Sequence, residues 1–243
     1  MQWRGRRGSD NIEDRRNTAR SGGAGRLGGF GLIAVVVIGY FLGVDVTPLL
    51  NNTAPPQIQG DNLTAADTQS ADFVSVVLAD TEQVWTKIFA SQLDLPYTPV
   101  TLVLFKDVTA SPCGDASGAT GPFYCPADKK VYLDTGFFDT LHRDLGANGD
   151  FAMAYVVAHE VAHHLQDELG ILGQANQVRG QSDEVTSNQI SVRIELQADC
   201  LSGIWAKAAE QQIGSIEAGD FAEALDAAKR IGDDTLQRNA GQR

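Results

Sequence analysis

His159-Glu160-Val161-Ala162-His163 constrains this chain more than any other stretch of it. Two histidines four residues apart fall on one face of a helix, where both imidazoles can turn toward a single metal ion. Glu160 projects about 100° around from His159, so it can reach a water beside that ion without ligating it. Two imidazoles with a carboxylate in this order are the parts of a zinc peptidase site. The flanks suit a buried helix. Phe151, Ala154, Tyr155, Ala158, Ala162, Leu165 and Leu169 recur every three or four residues, and the spacing predicts a helix over 151–169 with that stripe in the core.

A catalytic zinc takes three protein ligands and leaves its fourth position to water. A second helix is predicted over 191–209 (SVRIELQADCLSGIWAKAA), with Glu195 and Asp199 four apart on one face. Glu195 is the expected third ligand beside His159 and His163, making one Zn2+ per chain. Asp199, one turn on, is placed to accept the N–H of a ligating imidazole and fix its tautomer. Glu160 and Asp199 are therefore the expected catalytic residues, the first as general base and the second as orienter. Asp183 and Glu184 are rival ligands. They fall in a polar stretch, 170–189, which reads as a loop and would hold them less rigidly. His164 points to another face and is expected to pack or hydrogen-bond. His142 could serve near the substrate, and Tyr124, Tyr132 and His142 are candidate donors to the oxyanion.

The sequence resembles the bacterial predicted neutral zinc metallopeptidases. The resemblance is carried by WRGRRGSDNIEDRR, one hydrophobic segment, CG followed by GPFYCPADKKVYLD, AHEVAHHLQ, VRIELQADCLSGIWA and IGDD, in the family's order and over nearly the whole chain. It implies a membrane-anchored protein with a gluzincin-like domain, with His159, His163 and Glu195 as ligands and Glu160 as base. In one respect the sequence departs from the family. Members continue past the IGDD region into a segment with a Thr-His-Gly run, and the sequence runs to Arg243 without one.

Charge divides the chain. Residues 1–26 hold seven Arg against Asp10, Glu13 and Asp14, a net of +4; the total of −12 then leaves −16 on the rest. An acidic domain of that kind disfavours nucleic acid, and no nucleic-acid partner is expected. Residues 27–44 (LGGFGLIAVVVIGYFLGV) carry no charge and are just long enough for a bilayer core. Arg20 and Arg26 precede them and only Asp45 follows, so the positive-inside rule predicts a single-pass signal anchor in the cell membrane, with the catalytic domain on the extracytoplasmic side. Cys113 and Cys125, twelve apart in a Gly/Pro-rich stretch, could close a disulfide in such an oxidising space, while Cys200 is expected as a buried free thiol.

The expected organisation is a basic cytoplasmic tail (1–26), a transmembrane helix (27–44), a Pro/Asn/Thr-rich linker (45–68) and a metallopeptidase domain (69–243). Within the domain the patterns predict a helix over 70–93, a strand over 100–105, two strands over 121–124 and 130–133, a short helix over 136–145, the two metal helices, and a last helix over 218–231. The expected fold class is α+β: a gluzincin-like zinc peptidase domain with a small, about three-stranded sheet packed on the H-E-x-x-H helix, preceded by one transmembrane helix. The function this implies is a membrane-anchored zinc endopeptidase acting on peptide or protein. The alternative is a membrane-tethered binding or scaffold protein that keeps the fold without turnover. Oligomeric state is not legible in the sequence.

Overall fold

The computed structural model describes residues 1–17, 63–117, 121–143, 149–217 and 219–231. Strand β1 is Ile12–Asp14 and helix α1 Ala65–Ile88, which runs into a π-helical turn at Phe89–Leu93. Strands β2 (Thr101–Phe105), β3 (Val108–Ser111), β4 (Gly114–Ser117), β5 (Phe123–Cys125) and β6 (Lys130–Asp134) follow. Helices α2 (Phe137–Arg143), α3 (Asp150–Glu168), α4 (Ile171–Arg179), α5 (Glu184–Gln212) and α6 (Asp220–Ile231) complete the described chain.

The sheet is mixed and four-stranded, in the order β1-β2-β6-β5. β1 and β6 both run parallel to β2, and β5 lies antiparallel to β6 at the end of the sheet. The apolar run in β2 has no polar face because both faces are covered. Leu102 and Leu104 of β2, with Val131 and Leu133 of β6, join the main core under the helices. Val103, Phe105 and Tyr132 face the other way, onto Ala116 of the β3–β4 hairpin and Cys125. The disulfide Cys113–Cys125 ties the turn of that hairpin to β5.

Helix α1 starts at a capping box. Thr64 accepts from the Asp67 backbone N–H, and the Asp67 carboxylate accepts from that of Thr64. It then buries Phe73, Val74, Val77, Leu78, Val84 and Trp85 against α3 and the sheet. Helix α3 is central, packed on α1, α5, α6, β5 and β6. Its start is built by Gly149, whose φ of 107° suits glycine, and by Glu223, which accepts from the Phe151 N–H. A Cβ at Gly149 would meet the Glu223 carboxylate, which would have to swing aside and give up the Phe151 N–H.

Three expectations need correcting. The sheet has four strands, because residues 12–14 pair with β2; Lys130 and Arg15 neutralise Glu13, and Arg16 neutralises Asp14, along that edge. The polar stretch 170–189 is mostly helical: α4 fills its first half, and Asp183 caps α5 by accepting from the Thr186 N–H. The preceding transmembrane helix is not supported as part of the fold. Residues 27–44 lie outside the described residues, and no helix among the described residues is long and apolar enough to cross a membrane. Residues 1–16 and the described residues from 63 onward also form one compact unit, whereas one crossing by residues 27–44 would place them on opposite sides of a bilayer.

Candidate metal centre

Helix α3 carries His159 and His163 on one face, with ring centroids 4.9 Å apart. Helix α5 crosses beside it, held by Ala198, Ser202, Trp205, Ala206 and Ala209, and Trp205 stacks on Phe151 of α3 at 5.9 Å. That packing brings Glu195 to the two imidazoles. Its Oε2 lies 3.2 Å from His159 Nε2 and 3.4 Å from His163 Nε2. One ligand atom from each of the three residues falls within 4.8 Å of the others, close enough to share one ion.

Each imidazole is held from behind by its other nitrogen. Asp199 Oδ1 lies 3.0 Å from His159 Nδ1 and also accepts from the Tyr155 hydroxyl. A carboxylate there keeps a hydrogen on Nδ1 and leaves Nε2, which faces Glu195, as the nitrogen for a metal ion. Gln166 does the same for His163, with Oε1 2.9 Å from Nδ1. Two imidazole nitrogens and one carboxylate oxygen suit zinc better than calcium or magnesium, which favour oxygen donors.

The electrostatics fit a cation-binding site. Burial opposes charge on His159, but Asp199 and Glu195 outweigh it and raise its pKa to about 10. His163 is likewise raised, against burial, by Glu195 and Glu160. Burial would lift Glu195, yet the two imidazoles bring it down to about 2. A divalent cation would take the place of the protons these groups share. Glu160 is buried and belongs to neither pair. Burial raises its pKa, while His163, His159 and a hydrogen bond from the Tyr124 backbone N–H oppose the rise. Tyr124 lies on β5, so this end strand of the sheet runs beside the site.

The structure therefore brings together His159, Glu160, His163, Glu195 and Asp199. Asp183 serves as the α5 cap, and Glu184 begins that helix three turns before Glu195. His164 is buried and donates from Nε2 to Thr98 O at 2.8 Å. The Tyr124 hydroxyl donates to Asp167 and that of Tyr132 to Asp128, which commits both away from the ligand cluster. The His142 side chain lies outside the described ones. Cys200 is free, as expected, but exposed rather than buried, because it lies on the outer side of α5. Tyr155 and Gln166 are functional residues that the motif spacing does not single out. Gln166 leaves a trace in the sequence: it falls one turn after Ala162, a polar residue on the apolar stripe.

Residues 1–243 match the family described as "Putative neutral zinc metallopeptidase". The chain is similar to the uncharacterized protein YpfJ of Escherichia coli strain K12, at 43% identity over 249 residues, covering 99% of this chain and 86% of that protein. It is also similar to the uncharacterized protein Rv2575 of Mycobacterium tuberculosis strain H37Rv, at 43% identity over 152 residues, covering 58% of this chain and 50% of that protein. No solved structure matches the chain.

Proposed function

The chain belongs to the neutral zinc metallopeptidase family, and on that footing we propose that it hydrolyses peptide bonds at the centre formed by His159, His163 and Glu195. The observation that carries this reading is the convergence of three donor atoms from two helices, with both histidines held at Nδ1. Zinc bound there would supply Lewis acidity to the scissile carbonyl and lower the pKa of the attacking water toward about 7.

The chain's own residues supply the rest. Glu160 takes the water's proton and returns it to the leaving amine. Burial suits it to that exchange, because a carboxylate lifted above its ordinary range is a better base and later a usable acid. Asp199, steadied by Tyr155, holds His159 in place. Strand β5, at the end of the sheet and beside Glu160, offers an edge on which an extended peptide could align by backbone pairing. The Cys113–Cys125 disulfide supports an oxidising compartment as the place of action.

A digest of an unbiased peptide library by the purified full chain tests the reading. Cleavage that stops with chelator and returns with zinc is expected. No cleavage by zinc-loaded protein would remove the hydrolytic function.

A further inference from the structure

Gln166 is fully buried, with no exposed surface, and its amide is used at every polar position. Nε2 donates to Ile194 O at 2.8 Å and to Gln197 Oε1 at 3.0 Å, both on α5. Oε1 lies 2.9 Å from His163 Nδ1, one turn back on α3. These contacts fix the amide's orientation. A backbone carbonyl only accepts, so the NH2 end must face Ile194 and the oxygen must face the imidazole. Two acceptors cannot bond each other, so His163 Nδ1 carries a hydrogen, and Nε2, which faces Glu195, is the nitrogen left for a metal ion.

We propose that Gln166 is a positioning residue that holds His163 in its Nδ1–H form and ties that choice to the helical turn bearing Glu195. The inference rests on the zinc reading given above. It differs from the Asp199–Tyr155 support of His159 in using a neutral group that cannot shed its hydrogen-bonding role with pH. Ile194, the acceptor, immediately precedes Glu195, so a single amide registers one ligand against the backbone that carries another. With Gln166 buried, no water can replace it without rearrangement.

Two substitutions in the full chain separate positioning from a mere pin between helices. Gln166→Met keeps the length and removes every hydrogen bond. Gln166→Glu keeps an acceptor for His163 and loses both bonds donated to α5. Zinc affinity, measured by competition with a chelator, should fall roughly 10- to 100-fold in the Met variant and return most of the way in the Glu variant. Melting of the metal-free proteins should drop in both. Wild-type affinity in the Met variant overturns the proposal, and so does equal weakening in both.

A wild-type protein that binds no zinc would defeat the metal reading instead. The proposal is then decided by 15N spectra of the imidazoles in metal-free wild type. A hydrogen on His163 Nδ1 supports it and an Nδ1 without one overturns it, since Nε2 can donate to Glu195 when no metal lies between them. That spectrum also decides the matter if the Met variant does not fold.

Discussion

Arg6 grips Asp80 with both Nη nitrogens of its guanidinium, Nη1 2.6 Å from Oδ2 and Nη2 2.5 Å from Oδ1. Asp80 lies in the middle of α1 with a side chain 3% exposed, so the pair anchors the amino-terminal segment to the helix that backs α3. Ser9 and Asn11 extend the attachment by donating to Glu82. An isolated buried carboxylate is costly, and burial already raises the Asp80 pKa despite Arg6. Arg6→Ala should destabilise the fold by about 3 kcal/mol, and adding Asp80→Asn should recover much of the loss. Urea denaturation of the single and double variants checks this. An unchanged midpoint in Arg6→Ala would mean that the segment is not held as described.

Asp67 should shape the acid limb of stability. Burial works to raise its pKa, but Thr64 and Lys106 bring it from 3.8 down to about 2. A folded value below the unfolded one favours the carboxylate in the native state, so its contribution is complete above about pH 4 and is lost as pH falls toward about 2. Asp67→Asn should lose stability at neutral pH and show a shallower slope across that window. Denaturation series of both proteins down the acid range read the difference directly.

The disulfide should also be measurable. Cys113 and Cys125 close a loop at a separation of 12, which in the loop-entropy view stabilises by about 3 kcal/mol. Removing both cysteines should lower the denaturation midpoint accordingly. Mass spectrometry of the oxidised chain should find only Cys200 open to alkylation. Free alkylation of all three without reductant would count against the pairing.

Much of the site could be anticipated because helical spacing alone fixes it. His159–His163 and Glu195–Asp199 are both i, i+4 pairs, and the apolar stripe on α3 and the Ala/Trp face of α5 force those pairs to meet. Other parts left little signal. Residues 12–14 read as charged tail because only Ile12 is apolar; Arg15 and Arg16 are local partners of Glu13 and Asp14, but the strand itself depends on pairing with β2 and on Lys130, both set by tertiary structure. The start of α5, 184–190, has only Val185 and Ile190 as apolar side chains, and Val185 is exposed, so periodicity gives no warning of a helix before residue 191. Its cap, Asp183 with Thr186, is a local cue that the polar Gly- and Ser-containing stretch around it obscures.

The support behind His159 should act in graded fashion. Asp199→Asn should weaken zinc binding by roughly 10- to 100-fold, since it removes the charge that holds the Nδ1 hydrogen. Tyr155→Phe leaves the carboxylate and takes one of its two partners, so its effect should be smaller and in the same direction. A larger loss in Tyr155→Phe than in Asp199→Asn would break this order.

Zinc occupancy in Glu160→Gln beside Glu195→Ala, each read with peptide turnover, tests the assignment of the centre most directly. Glu160 lies off the His159–His163 face, and its amide replacement can still sit in place but cannot accept a proton, so that variant should keep about one zinc per chain and lose nearly all turnover. Glu195→Ala should lose both, because the carboxylate facing the two Nε2 atoms is gone. Equal zinc in the two variants would move the third ligand away from Glu195, and undiminished turnover in Glu160→Gln would contradict the hydrolytic mechanism itself.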